Sequence, residues 1–206
     1  GENKRAPSAL FGHARIMSDR RSIENLALVG FMGCGKSSVG RLAAKDLGFE
    51  FVDTDALVEE RAGISISEIF ATEGEATFRQ LERETLAELE TRAGLIIATG
   101  GGAIVDPENL ASLKRHALVV CLWAGAEVIH ERTKHQSHRP LLQGDNPLGT
   151  IRRMLAEREP VYKQADVIIN TELRPQREVV LQVRLQFEES RKRVSASATS
   201  SGPSGS

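Results

Sequence analysis

Cysteine is nearly missing from this chain: two occur in 206 residues, Cys34 among glycines and Cys121 inside the apolar run ALVVCLW. Two such positions make no disulfide framework, and the usage suits a reducing compartment. No stretch of 18 apolar residues exists, so no membrane span is expected, and the first residues lack the charged-then-apolar layout of a secretory signal. An excess of one charge is also lacking. The 27 Lys and Arg stand against 28 Asp and Glu, so no bulk field points to nucleic acid or an anionic membrane. The expectation is a soluble, cytoplasmic protein of one domain with any basic function confined to a local site.

What is present divides into a patterned middle and two unpatterned ends. Residues 1–22 are polar and aperiodic, and the tail SASATSSGPSGS from Ser195 has linker composition, with too little apolar surface to offset the entropy of ordering. Residues 1–22 and 191–206 are therefore expected to be disordered, leaving 23–190 as the folded unit. Within it, short apolar runs end at Gly30, Asp53, Thr99, Trp123 and Asn170. They are apolar on both faces, as parallel strands covered by helices must be. Between them lie helical stretches: Lys36–Leu47, Asp55–Arg92 in pieces broken near Gly63 and Gly74, Pro107–Arg115, Ala126–Thr133, and Gly149–Ala165, the last kinked or restarted at Pro160. The alternation predicts an α/β three-layer domain with a parallel sheet of about five strands and binding sites at the C-terminal strand ends.

Gly30-Phe31-Met32-Gly33-Cys34-Gly35-Lys36-Ser37 satisfies G-x-x-x-x-G-K-[ST] directly after an apolar strand and directly before a helix, the context a phosphate-binding loop requires. Its glycines let successive amides point at phosphate oxygens. Lys36 is placed to reach the β and γ phosphates of a nucleotide and Ser37 to ligate magnesium. The plainer alternative, a glycine-rich turn capping a helix, leaves that full context unexplained. Cys34 reads as a small loop residue rather than a nucleophile.

Asp53 and Asp55 follow the second strand, so both carboxylates should lie near the loop. One could hold a magnesium-bound water while the other orients or deprotonates a hydroxyl; equally, Asp55 could cap the next helix. Gly100, Gly101 and Gly102 follow the third strand, and three successive glycines cost enough chain entropy that a close approach to that backbone is the alternative to a merely flexible turn. Arg79 and Glu82 have helical spacing for an ion pair, which alone marks a solvated surface. TKHQSHRPLLQGDNPLG reads as a mobile loop able to close a site and exclude water. Zinc binding by His135 and His138 has no further ligand in its favour. Trp123 and Tyr162 read as packing residues.

The runs GFMGCGKSSVGRLAAKDLG, FVDTD, IFATEGEATFRQLE, TGGGAI, RTKHQSHRPLL and REPVY, in this order from about Asn25 to Phe187, resemble the shikimate kinase family of P-loop small-molecule kinases. The resemblance implies transfer of the ATP γ-phosphate to the 3-hydroxyl of shikimate, in aromatic amino-acid biosynthesis. It implies Gly33, Cys34, Gly35, Lys36, Ser37 and Ser38 at ATP, with Arg132 stacked on adenine and Arg174 in the adenine loop. It implies Asp55 as the base or orienting group, Asp53 holding Mg2+ through water alongside Ser37, and Arg79 and Arg158 gripping the acid. Gly100, Gly101 and Gly102 would supply backbone contacts, Phe70 and Phe78 would wall the ring, and Glu82 would fix Arg79. The substrate-binding segment would span about 54–92. A lid over about 133–148 would bring Arg139 to the transferring group, making Lys36, Asp55 and Arg139 the catalytic set.

Two features depart from a common kinase pattern: Ser38 stands where many relatives carry threonine, and the third strand lacks an acidic end, so Asp53 carries the carboxylate role alone. The expected partners are ATP and shikimate, without nucleic acid or membrane, and a monomer is expected. Gluconate or nucleoside monophosphate kinases would share the loop without needing Asp55, Arg79, Arg158 and the triple glycine together. A silent nucleotide-binding module would be expected to lack Lys36, Asp55 or Arg139.

Overall fold

The computed structural model describes residues 21–135 and 145–199. In chain order these form β1 (Asn25–Val29), α1 (Lys36–Leu47), β2 (Glu50–Asp53), α2 (Thr54–Ala62), α3 (Ile66–Thr72), α4 (Glu75–Leu89), β3 (Leu95–Ala98), α5 (Pro107–His116), β4 (Ala117–Trp123), α6 (Ala126–Thr133), α7 (Pro147–Tyr162), β5 (Val167–Asn170) and α8 (Gln176–Thr199). All strand pairs are parallel, in the order β2-β3-β1-β4-β5. This is the α/β sheet the alternating pattern predicts.

β1 lies at the centre, with every residue buried, and β3 is buried throughout as well. Helices must therefore cover both faces, which is why these runs are apolar at successive positions instead of alternating. The edge strands β2 and β5 carry exposed residues. α1 buries Val39, Gly40, Ala43 and Ala44, a narrow stripe of small residues. Beside it, α8 buries Val179, Val180, Val183 and Phe187. The Phe187 ring meets Phe49 edge-on at 5.6 Å.

The order places the phosphate loop at a topological switch point, because the chain leaves β1 for β2 on one side and later returns to β4 on the other. Leu28 and Asp53 both pair with Ala98, and Thr99 N donates to Leu28 O at 3.1 Å. The C-terminal ends of β1, β2 and β3 thus share one edge of the sheet.

A second, small apolar cluster stands apart from the main core. Val58 of α2, Ile69 of α3 and Phe78 of α4 form it, with Ala62, Ile64, Ile66 and Leu81 packed around them. The far half of α4 joins the main core through Leu86 and Leu89.

Three boundary expectations need correction. Arg21 and Ser22 belong to the folded body: Arg21 Nη1 donates to Asp166 Oδ1 at 2.8 Å and its Nη2 to Ala117 O at 2.6 Å, while Ser22 N donates to Arg115 O at 3.3 Å. α8 was not expected as a helix, and it continues to Thr199, beyond residue 191 where a tail was expected. Its docked half nucleates the helix, and the following Arg, Lys, Ser and Ala residues extend it at little cost. α7 begins at Pro147 and passes through Pro160 without restarting. Proline there removes one hydrogen bond, and the helix ends two residues later at Tyr162. Of the two readings left open for Asp55, capping falls away: Asp53 is the N-cap of α2, accepting from Asp55 N at 3.1 Å.

One buried polar cluster sets a pH dependence. Asn25 accepts from Leu95 N at 2.9 Å and donates to Arg92 O at 2.6 Å, so its Nδ2 also faces His116 Nδ1, at 2.8 Å. His116 Nδ1 is then an acceptor and the ring is neutral, with Nε2 buried and unpartnered. Burial pushes the His116 pKa down from 6.5; Glu90 opposes this and Arg115 adds to it. The folded state holds fewer protons on this ring than the unfolded chain does. Its contribution to stability is complete above pH 6.5 and is lost as pH falls from there toward the depressed folded value. Comparison with a variant isolates this contribution: the melting temperature of His116→Gln is expected to rise relative to that of the wild type as pH falls from 7 to 5.

Candidate active site

Gly30 follows β1 with φ +129°, and a Cβ there would fall on the Leu122 carbonyl oxygen of β4, so only glycine fits. The loop then turns around the Lys36 ammonium, whose Nζ donates to Gly30 O at 2.8 Å and Phe31 O at 2.9 Å. α1 opens at Gly35 with no side-chain cap, so its first amides are left to an anion or water. Cys34 is buried, and burial raises its thiol pKa, which keeps it a packed thiol. Ser37 Oγ donates to Asp53 Oδ2 at 3.2 Å, bringing a hydroxyl and a carboxylate together beneath the loop.

The cap at Asp53 turns the Asp55 side chain toward the same edge. A Cβ on Gly100 would lie 2.6 Å from Asp55 Oδ1 and 3.4 Å from Glu82 Oε1, so Gly100 has no room for a side chain. Thr54 Oγ1 accepts from Gly100 N at 3.2 Å and pins that end of the run. Asp55 has a pKa raised to about 6, chiefly by burial, then by the Asp53 and Glu82 charges, with Lys36 pulling the other way. A carboxylate so placed is poised to take a proton near neutral pH.

Most ion pairs of the fold are solvent-exposed and contribute about 0–1 kcal/mol each. Arg79–Glu82 differs: Nη1 donates to Glu82 Oε2 at 2.9 Å, and Glu82 is 1% exposed. Glu75 accepts from the other side of the guanidinium, from Nη2 at 3.2 Å. From α7, Arg158 Nη1 donates to Gly101 O at 3.2 Å. Arg79 and Arg158 meet over Gly102, where a Cβ would lie 3.4 Å from Arg79 Nη2 and 3.7 Å from Arg158 Nη2. Two guanidiniums held this way have the chemistry to receive a carboxylate.

A cleft of about 630 Å3 is lined by Gly33 to Val39, Asp53, Asp55, Thr99, Gly100, Gly101, Arg132, Thr171 and Arg174, among others. Arg79, Arg158 and Gly102 do not line it; they stand next to its Gly100–Gly101 wall. The cleft thus brings the phosphate loop and Asp55 to the wall beside which the paired guanidiniums stand.

The sequence profile described as "Shikimate kinase" matches residues 32–188. The chain belongs to the shikimate kinase family. A shikimate kinase of Thermodesulfovibrio yellowstonii is 43% identical over 166 residues, covering 81% of this chain and 96% of its own length. The solved shikimate kinase from Acinetobacter baumannii in complex with shikimate is similar at 40% identity and TM-score 0.76, over 85% of this chain and 98% of that one. A gluconokinase from Sinorhizobium meliloti 1021, at 18% identity, TM-score 0.57 and coverage of 86% and 99%, shares the fold alone. The rival readings thus lose to the family match.

Among the other residues expected at a shikimate kinase site, Phe70 is 43% exposed and stacks on Phe78 at 5.0 Å. Phe78 itself is buried in the small cluster, so Phe70 presents the freer ring face. Arg132 bonds Thr171, through Oγ1 at 3.0 Å and O at 2.7 Å, and Gly33 O at 3.3 Å, which ties the phosphate loop to the end of β5. Arg174 and Ser38 are exposed at the cleft. Arg139 and most of the expected lid lie outside the described residues. Sequence reasoning missed Thr54, Thr171 and Tyr162, whose hydroxyls bond backbone groups of distant segments. Threonine inside DTD was a readable signal; the other two were not. No helix of the described residues is long and apolar enough to cross a membrane.

Proposed function

We propose that this member of the shikimate kinase family transfers the ATP γ-phosphoryl group to the 3-hydroxyl of shikimate, giving 3-phosphoshikimate and ADP. The carrying observation is the convergence of Arg79 and Arg158 over Gly102, two residues beyond Gly100, which Asp55 crowds. Shikimate presents a carboxylate and ring hydroxyls, and the site offers guanidiniums at one end and a carboxylate of raised pKa in the middle.

Ser37 and Asp53 fit magnesium: both offer hard oxygen, and a site with one carboxylate suits an ion that keeps several waters and takes phosphate oxygens. Among the described residues no group of three or more His, Cys, Asp or Glu could hold a metal ion. Mg2+ bound with ATP would supply charge neutralisation at the phosphates. The chain's own residues then position and neutralise. Loop amides and Lys36 hold the phosphates, Arg79 and Arg158 fix the acid, and Asp55 accepts or orients the proton of the attacking hydroxyl. Arg132 and Arg174 line the nucleotide end, and the 133–148 segment with Arg139 is assigned the closing role. We assign the protein as a cytoplasmic monomer acting on small molecules; its balanced charge offers no bulk attraction to nucleic acid or an anionic membrane.

A coupled ADP-release assay with shikimate, gluconate and AMP tests the reading: turnover is expected with shikimate alone, and equal turnover with gluconate or AMP contradicts it. In the same assay, Arg79→Ala is expected to raise the shikimate KM well over tenfold, on the order of a lost charged pair, while the ATP KM stays within about twofold. Equal effects on both would contradict the carboxylate assignment.

A further inference from the structure

We propose that Tyr162 is a positioning residue for the acid clamp: its hydroxyl fixes the Gly101 carbonyl and, through that shared oxygen, the guanidinium of Arg158. This rests on the assignment of Arg79 and Arg158 to the substrate carboxylate.

Tyr162 OH donates to Gly101 O at 2.7 Å, across 61 residues of sequence, and Arg158 Nη1 donates to the same oxygen at 3.2 Å. Arg158 and Tyr162 sit four residues apart on α7, so they reach one acceptor from successive turns of one helix face. The glycine run has no side chains with which to hold itself, and an unpinned run would sample many conformers. Thr54 secures Gly100 from α2, and Tyr162 secures Gly101 from α7. Gly102, over which both guanidiniums meet, is the next residue.

The tyrosine is built to aim that hydroxyl. Its ring is 1% exposed and packs edge-on against Trp123 at 6.3 Å. Burial pushes its pKa up to about 12, so the hydroxyl remains a donor throughout the working pH range. Packing alone would be satisfied by phenylalanine, and a buried hydroxyl costs free energy unless it is bonded. Arg158 also rests over the Phe31 ring at 5.5 Å, so its guanidinium is held by a ring on one side and by the Gly101 carbonyl at its end.

The test uses Tyr162→Phe, which keeps the ring. Shikimate dissociation constants from calorimetry without nucleotide are compared with steady-state KM values for shikimate and ATP. Expected are a shikimate Kd and KM raised about three- to tenfold, the range of one lost hydrogen bond, and an ATP KM within about twofold of wild type. Combining Tyr162→Phe with Arg158→Ala should weaken shikimate binding no further than Arg158→Ala alone, because both act through one group. An unchanged shikimate Kd in Tyr162→Phe overturns the inference. So does parallel weakening of shikimate and ATP with a large fall in melting temperature, which marks a purely structural role, and so does an additive double variant. Wild-type protein that fails to bind shikimate overturns the assignment of the arginines as well, whereas binding by wild type with no change in Tyr162→Phe overturns the positioning role alone.

Discussion

Replacing Asp55 by asparagine is expected to lower kcat by about 10²- to 10⁴-fold while raising the melting temperature above pH 6. The two effects share one cause. Burial, with Asp53 and Glu82 nearby, lifts the Asp55 pKa from 3.8 to about 6. The folded protein thus binds this proton more tightly than the unfolded chain, and above pH 6 the ionised carboxylate is held against its surroundings. Asparagine removes that penalty and, with it, the proton acceptor. In the wild type, kcat/KM should fall as pH drops through about 6, because the acidic limb reports ionisation of the free enzyme. The variant should lose that limb. A residue with a purely structural role would change stability the other way, so thermal melts and pH–rate profiles of the same two proteins decide the matter.

Lys36→Ala is expected to reduce turnover by roughly 10²-fold or more, the scale for losing a charge aimed at the transferring group. Lys36 Nζ now bonds the carbonyls of Gly30 and Phe31, two acceptors that would have to give way, in part, to phosphate oxygens. The ammonium therefore shapes the loop before the nucleotide arrives and neutralises it afterwards. Arginine should not restore activity: its planar fork needs more room than a point charge curled inside six residues of loop. Single-turnover rates with saturating ATP separate lost chemistry from lost nucleotide affinity. Wild-type turnover in Lys36→Ala would remove the loop from the mechanism.

How legible was this protein in its sequence? α1 was readable to the residue, because Gly35 and Gly48 flank an amphipathic run and both take left-handed backbone. The strands were readable because central parallel strands are covered on both faces and so are apolar at nearly every position, Asn25 of β1 excepted. α8 escaped because its exposed outer part is polar and small, and only docking of Val179, Val180, Val183 and Phe187 makes it a helix. The cap at Asp53 escaped because either aspartate of DTD could serve, and register alone chose between them. At the site, the phosphate loop is local in sequence and its spacing states its chemistry. The acid clamp is not local: Arg79 and Arg158 come from α4 and α7, and Arg79–Glu82 spacing by itself describes an ordinary helix surface. Only resemblance to the shikimate kinase family joined them before the fold did. Tyr162 was read as packing because nothing in a sequence shows where a buried hydroxyl points.

The small cluster of Val58, Ile69 and Phe78 gives the acid-receiving half a keel of its own. That half touches the main core mainly through the rear of α4, where Leu86 and Leu89 anchor it like the end of an axle. A body mounted in this manner can rock about its shaft without prying strands apart, so gripping and releasing an acid need not loosen the nucleotide's cradle.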